Sequence, residues 1–247
     1  QVDLLNPDAM KLFFDLTYGE FHRRFGSYFG NTVHFGFADH EGDYGFRIAW
    51  TPRLFQEFQT RKQYDLRKVL PLLIFDGGDF SIKARCDYLD TVTQLYSDAF
   101  WNGITNAAQE LGIGRTGHGW EETLQFGAAL EGSQFAVERG LNPVGVDSLK
   151  DSGRQALCFK VAQSVADFEG RRFLCEHEGL HGTDSYLDLE GIRQVTNAIA
   201  TWGVDLFVPH AFNYDAAQAN LPPDWINQPY WPYFHYYADY VRRLSFM

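Results

Sequence analysis

Segments that look like β-strands alternate along this chain with segments that look like α-helices, and this order constrains the fold more than any other feature of the sequence. The strand-like runs are short, and the first of them is apolar and rich in β-branched or aromatic residues. They begin at 32, 113, 142, 171 and 204. Because strands joined through helices run parallel with right-handed crossovers, the sequence predicts an α/β fold built on a parallel sheet.

The longest predicted helix runs from Ser81 to Leu111, where apolar residues recur at three- and four-residue steps and Gly112 ends the pattern. At ~1.5 Å per residue it would extend about 45 Å, which is long enough to flank the wall of a barrel. Shorter helices are predicted over 18–25 behind a Thr17 cap, from Thr51, over 154–168 and over 187–202.

These elements predict a (β/α) barrel of the TIM type, in a single catalytic domain that covers residues 1–247. A complete barrel of this type needs eight strands, whereas about five are found in the sequence. The residues before Thr32 are too few to supply three more strand–helix units. We therefore expect a partial barrel that lacks its first strands.

Polar residues follow each predicted strand at the point where the strand ends. They are Asp39 and Glu41, His118 and Glu121, Asp147, Glu176, and His210. In a (β/α) barrel all of these positions converge on one face, and that face carries the active site of barrel enzymes. The pattern therefore predicts an enzyme.

The segment from Arg171 to Gly182 allows two incompatible interpretations. His177-Glu178-Gly179-Leu180-His181 matches H-E-x-x-H, the zinc motif of metallopeptidases, which requires one uninterrupted helix. The alternative is a buried strand over 173–176 that presents Glu176 at its end. Gly179 and Gly182 disfavour the helix, because each costs about 1 kcal/mol relative to alanine. We therefore prefer the strand.

The net charge of −11 excludes a nucleic-acid backbone as the expected partner, since that affinity depends on lysine and arginine. No apolar run is long enough to span a membrane, and the N-terminal residues do not read as a signal peptide. The three cysteines are widely spaced and predict neither a disulfide framework nor a metal motif.

A series of segments resembles the catalytic-barrel region of the α-L-rhamnosidases of glycoside hydrolase family 106, and the likeness covers most of residues 17–245. The segments that carry it are 17–30, Ile48-Ala49-Trp50-Thr51-Pro52, 55–58, 64–67, 85–92, 111–113, Thr116-Gly117-His118, 145–149 and 203–210. The resemblance implies a barrel that removes terminal L-rhamnose with inversion and uses calcium. It also implies that the chain is the later part of the barrel in a larger, exported, multidomain polypeptide.

The resemblance also implies roles for individual residues. Inversion needs one carboxylic acid to protonate the leaving oxygen and one carboxylate to activate water. Glu121 is expected to be the acid and Glu176 the base, with Glu122 and Glu178 as their modulators, and the roles within each pair, Glu121 with Glu122 and Glu176 with Glu178, stay interchangeable. Calcium would take oxygen ligands from Glu121, Glu176 and Glu178. Further substrate contacts are expected from Asp39, His118, Trp120, Asp147 and His210.

The sequence departs from the family in the loop 38–43, which leaves the role of Asp39 or Glu41 open, and in the polar ending Cys175-Glu176-His177-Glu178. Two alternatives to the glycosidase therefore stay open, a partial barrel that binds a sugar without cleaving it and the zinc metallopeptidase. The expected partner is a carbohydrate, and the expected location is extracellular or periplasmic.

Overall fold

The computed structural model describes residues 2–39, 48–119, 132–148, 156–177, 188–210, 212 and 225–246. Helices and strands alternate through these ranges. In chain order they are α1 (Pro7–Phe14), a π-helical segment (Asp15–Gly19), α2 (Glu20–Phe25), β1 (Phe35–Asp39), α3 (Leu54–Lys62), α4 (Asp79–Tyr96), a second π-helical segment (Ser97–Asn102), α5 (Gly103–Glu110), β2 (Gly114–His118), α6 (Gln134–Arg139), β3 (Val144–Ser148), α7 (Ala156–Glu169), β4 (Phe173–His177), α8 (Leu189–Ala200), β5 (Leu206–Pro209) and α9 (Phe234–Leu244). Short 3-10 turns cover Gly26–Tyr28, Leu66–Lys68, Leu70–Leu73, Trp225–Asn227 and Trp231–Tyr233.

The strands form two small parallel sheets. In the first, β1 pairs with β2 so that Asp39 lies beside His118. In the second, β4 lies between β3 and β5, with Glu176 beside Asp147 on one side and Val208 on the other. These parallel strands and the helices between them confirm the predicted α/β class. The described strands do not close a complete barrel, so the barrel itself stays a prediction.

The two sheets adjoin where β2 meets β3. The Asn142 amide donates a hydrogen bond of 2.7 Å to the Arg115 carbonyl oxygen. A Cβ atom at Gly145 would lie 2.0 Å from the Gly117 carbonyl oxygen, so only glycine permits this approach of the two strands. The contact aligns the C-terminal end of β2 with that of β4, which positions the candidate site.

Each strand of the second sheet turns alternate residues toward a helical layer. Val144 and Val146 of β3 and Phe173 and Cys175 of β4 are buried in one core cluster with residues of α7 and α8. The opposite alternation therefore leaves Gly145, Asp147, Leu174 and Glu176 on the other face of the sheet. This division explains why β4 reads as a continuous apolar run that ends in a carboxylate.

The helix predicted from Ser81 to Leu111 is present as α4, a π-helical turn and α5. The π-helical segment places Phe100 and Trp101 in the buried interior, with their rings 4.8 Å apart and close to perpendicular. Such a turn accommodates an extra residue without ending the helix. The periodicity therefore predicted the continuity of this helix but not the local change in its winding.

The N-terminal helix was missed from the sequence, although its signals are present. The Asn6 side chain accepts a hydrogen bond of 3.0 Å from the Asp8 amide and caps α1, which has Pro7 at its first position. The helical path continues through Asp15–Gly19 into α2. Thr17 is therefore not the predicted helix cap. Its hydroxyl donates a hydrogen bond of 2.7 Å to the Phe13 carbonyl oxygen inside the helical run.

The C-terminal helix α9 packs against α8 around a small cluster of aromatic residues. Ile192, Trp225 and Tyr237 are buried at the centre of this cluster. The Trp225 indole N–H donates a hydrogen bond of 2.5 Å to the His210 carbonyl oxygen. Trp225 is thereby attached to the residue that follows β5. Among the described residues, no helix combines the length and the apolar character that a membrane span requires.

Candidate functional site

The candidate site forms around His118, the last residue of β2. Its side chain is 2% exposed, and its Nε2 atom lies 3.4 Å from Oδ1 of Asp39, the last residue of β1. The parallel pairing places these two residues side by side, because they are partners in the ladder. Asp39 remains 63% exposed, so it forms the solvent side of this contact.

Glu176 approaches the same nitrogen from the second sheet. Its Oε2 atom lies 3.1 Å from His118 Nε2, and the residue is 7% exposed. The contact spans β3, which lies between β2 and β4 and has the side-chain-free Gly145 on this face. A histidine is thus held between two carboxylates at the C-terminal ends of the strands.

The hydrogen bonds of His118 fix where its protons lie. Its Nδ1 atom is 2.7 Å from the Gly119 carbonyl oxygen, and a carbonyl can only accept, so Nδ1 carries a hydrogen. The bond between Nε2 and Glu176 then requires one more proton, either on Nε2 or on the carboxyl group. The His118–Glu176 pair therefore shares one proton along this hydrogen bond.

Two further predicted residues lie at or just beyond the C-terminal ends of the strands that flank β4. Asp147 is half-buried and is the ladder partner of Glu176, so both side chains project from the same face of the sheet. His210 follows the last residue of β5, and its backbone amide donates a hydrogen bond of 2.7 Å to the His177 carbonyl oxygen. The buried Nδ1 atom of His210 has no hydrogen-bond partner among the described residues, although buried polar atoms normally have one.

The remaining predicted site residues lie outside the described residues, and the structure leaves their roles as predictions. They are Trp120, Glu121, Glu122 and Glu178, together with Glu41 of the loop after β1.

The conformation of His177 contradicts the helical zinc motif. His177 is the last residue of β4, is fully buried, and is the ladder partner of Ser148. Its ring packs edge-on against Phe207 at 5.9 Å. In H-E-x-x-H the two histidines must share one face of a helix, so a first histidine on a strand cannot supply that geometry.

The described residues do not form a calcium site by themselves. Of the three predicted ligands, only Glu176 is described, and its Oε2 atom already contacts His118. No group of three or more metal-ligating side chains is found in the described ranges, whereas calcium takes six to eight oxygen ligands. No step of the mechanism below is therefore assigned to a metal ion.

Arg115 was not predicted from the sequence to have a special role. It is 1% exposed and lies on the face of β2 opposite to His118, among aromatic rings. The available signal was a charged residue inside a strand that carries no other charge between Gly114 and His118. A buried charge in a protein normally has a partner or a function.

Comparison with known proteins supports the fold. No family model matches this chain, and no curated protein matches it in sequence. The structure of a rhamnosidase from Novosphingobium sp. PP1Y is similar, with a TM-score of 0.74 and 17% sequence identity. The match covers 99% of this chain and 25% of that one, so the chain spans a quarter of its length. At this identity the similarity concerns the fold alone.

Proposed function

We propose that this chain forms part of the catalytic (β/α) barrel of a glycoside hydrolase that removes terminal α-L-rhamnose from glycans or glycosides with inversion. The observation that carries the proposal is the buried contact of 3.1 Å between His118 and Glu176. Paired titratable groups at the C-terminal ends of parallel strands are typical of barrel enzymes. The similarity of the fold to a rhamnosidase structure supports this choice of reaction.

Glu176 has the environment that a general base needs. Inverting hydrolysis requires a carboxylate that removes a proton from the attacking water. The hydrogen bond of 3.1 Å between His118 Nε2 and Oε2 of Glu176 orients the carboxylate. The burial of both side chains limits their movement. With the shared proton on His118 Nε2, the proton removed from water would go to Oε1 of Glu176, because Oε2 already accepts from His118.

The acid of the proposed reaction is Glu121, which follows the strand that ends in His118. Asp39, Asp147 and His210 are proposed to bind sugar hydroxyl groups beside the His118–Glu176 pair. Trp120, Glu122 and Glu178 are proposed to complete the substrate site. These assignments come from the family resemblance, and each is tested by substitution.

Membership of glycoside hydrolase family 106, a calcium requirement and an extracellular or periplasmic location belong to the same proposal. Calcium, if it binds, supplies positive charge and oxygen coordination for the substrate and the carboxylates. The rest of a larger polypeptide is proposed to complete the barrel, in keeping with the quarter of the rhamnosidase structure that this chain covers.

A sugar-binding partial barrel without catalytic activity is the second candidate. One observation favours it: among the described strands, β1 pairs only with β2, and Phe35 and Phe37 of β1 are exposed large apolar residues. A site left open beside this edge could hold a sugar without excluding water from the reacting bond. Binding without turnover would identify this function.

The test is release of L-rhamnose from an aryl α-L-rhamnoside by the longest natural polypeptide that contains this chain, with calcium and with a chelator. Glu176→Gln and Glu121→Gln are each expected to lower kcat by about 10²- to 10⁴-fold, the usual contribution of an acid or base. Glu110→Gln, at an exposed carboxylate that ends α5, is the matched control and should keep the parent rate. A Glu176→Gln variant with the parent rate would remove Glu176 from the mechanism.

A further inference from the structure

The ring of Phe37 packs against the histidine of the candidate site. Its centroid lies 5.8 Å from that of the His118 ring, with an angle of 65° between the two planes. Phe37 precedes Asp39 by two positions on β1, so strand alternation directs both side chains to the face on which Asp39 contacts His118. The aromatic ring therefore forms part of the wall beside the His118–Glu176 pair.

Much of the Phe37 side chain is accessible to a ligand. Phe37 is 42% exposed, although phenylalanine is among the residues that are most often buried. Phe37 and Asp39 also line one cavity of about 460 Å³, so the space beside the ring is continuous with the space beside the carboxylate. The ring thus offers apolar carbon to a molecule that lies beside the pair.

The carboxylates around this ring are suited to hydroxyl groups. Asp39 is 63% exposed and Asp147 is half-buried, and ionised carboxylates accept hydrogen bonds. Gly145 lies on the same face of β3 and adds no side chain. A ligand with several hydroxyl groups and a small apolar group matches this combination. A terminal L-rhamnose is such a ligand, because it carries hydroxyl groups on its ring and a methyl group, C6, on C5.

We propose that Phe37 is a specificity-determining residue that contacts the C6 methyl group and thereby selects a 6-deoxyhexose over the corresponding hexose. This inference rests on the proposed function, because it takes rhamnose as the sugar. L-Mannose differs from L-rhamnose only by a hydroxyl group on C6, and an aromatic ring leaves that hydroxyl without a hydrogen-bond acceptor. L-Lyxose lacks C6, so it loses the apolar contact. The site is therefore expected to prefer the rhamnoside over both analogues.

Phe35 supplies a matched control on the same strand. It is 48% exposed and projects from the same face as Phe37, two positions earlier. At about 3.3 Å per residue, it lies about 7 Å farther from the C-terminal end of β1. Its ring lies over Gly114, where an added Cβ atom would be 2.7 Å from it. A substitution at Phe35 therefore changes the same apolar face at a distance from His118.

The experiment measures kcat/KM for an aryl α-L-rhamnoside and for the matching α-L-mannoside and α-L-lyxoside, using the longest natural polypeptide that contains this chain. The parent should prefer the rhamnoside over each analogue by about 10- to 100-fold, the usual effect of one small group in an apolar contact. Phe37→Thr should lower both preferences by about 10-fold, and threonine is chosen because it favours strands. Phe37→Leu stays apolar and should keep most of the preference, and Phe35→Thr should keep the parent values.

Four outcomes separate this inference from the proposed function. Hydrolysis of the rhamnoside with equal preferences in the parent and in Phe37→Thr overturns the inference and leaves the proposed function standing. An equal fall of the preferences in Phe35→Thr does the same. A parent that hydrolyses the rhamnoside and the lyxoside equally well also overturns the inference, and this result depends on no variant. Absence of both turnover and L-rhamnose binding overturns the proposed function and the inference together.

Binding replaces turnover if the polypeptide holds the sugar without cleaving it. Isothermal titration calorimetry with L-rhamnose, L-mannose and L-lyxose then gives the same two preferences as ratios of dissociation constants. A fall of these ratios by about 10-fold in Phe37→Thr, with parent values in Phe35→Thr, supports the inference. Unchanged ratios in Phe37→Thr overturn it.

Discussion

The two faces of strand β2 hold buried polar groups in opposite ways. On one face, His118 lies between the carboxylates of Asp39 and Glu176. On the other face, Arg115 lies against the rings of Phe100 and Trp101, and no carboxylate of the described chain is paired with it. Only three positions separate the two residues, and strand alternation directs them to opposite sides.

This difference shows two ways in which the described chain stabilises a buried polar group. A buried charge costs several kcal/mol unless a partner compensates for it. The face of His118 contains its own partners, so it can perform acid–base chemistry with the residues of this chain. Among the described residues, Arg115 is held without an anion, by the Phe100 and Trp101 rings and carbonyl oxygens and by the Tyr18 hydroxyl.

The largest effect is expected from a substitution that destroys the strand on which both faces depend. Gly117 has a φ of +136°, and a Cβ atom there would lie 2.0 Å from the Ala38 carbonyl oxygen. Gly117→Ala would strain the backbone and force β1 away from β2. We expect a loss of about 3–5 kcal/mol in the free energy of unfolding, measured by urea denaturation.

Gly112→Ala is the matched control for Gly117→Ala. Gly112 also has a positive φ, of +82°, but nothing lies within 4 Å of a Cβ atom built there. Its cost should be limited to the backbone preference of about 1–2 kcal/mol. Equal losses in the two variants would show that the close approach of β1 and β2 contributes nothing.

The next effect concerns the face of His118. In His118→Leu, Glu176 stays buried and loses its hydrogen bond, so we expect a loss of about 2–3 kcal/mol in the free energy of unfolding. In a double-mutant cycle with Glu176→Leu, the two losses should be less than additive, because the second substitution removes the group that the first leaves without a partner. Additive losses within about 0.5 kcal/mol would mean that the two side chains do not interact.

The order of the strands and the polar groups at their ends could be predicted from the sequence. Two of these strands have a local signature, namely a short apolar run followed by a carboxylate, and Asp39 and Glu176 both follow such runs. The strand reading of Phe173–Glu176 was chosen over a helix because of Gly179 and Gly182, and β4 ends at His177. Local propensity was enough for these features.

The partners of those groups could not be predicted, because they depend on contacts between distant residues. His118 and Glu176 are separated by 58 positions, and their contact requires the approach of Gly117 and Gly145 at the junction of the two sheets. The environment of Arg115 likewise arises from the π-helical turn that buries Phe100 and Trp101. Neither glycine packing nor helix winding has a distinctive sequence pattern.

The smallest effect concerns Thr116, which lies between the two residues compared above. Its hydroxyl oxygen is buried and has no hydrogen-bond partner among the described residues, and buried unsatisfied groups cost about 1–3 kcal/mol. Thr116→Val keeps the shape of the side chain and removes this group, so we expect a stability gain of up to about 1 kcal/mol.

Thr105→Val is the matched opposite case, because the Thr105 hydroxyl donates a hydrogen bond of 2.5 Å to the Gly140 carbonyl oxygen. This variant should lose about 1 kcal/mol in the free energy of unfolding. Equal losses in the two valine variants, measured by thermal denaturation, would show that Thr116 is hydrogen-bonded in solution.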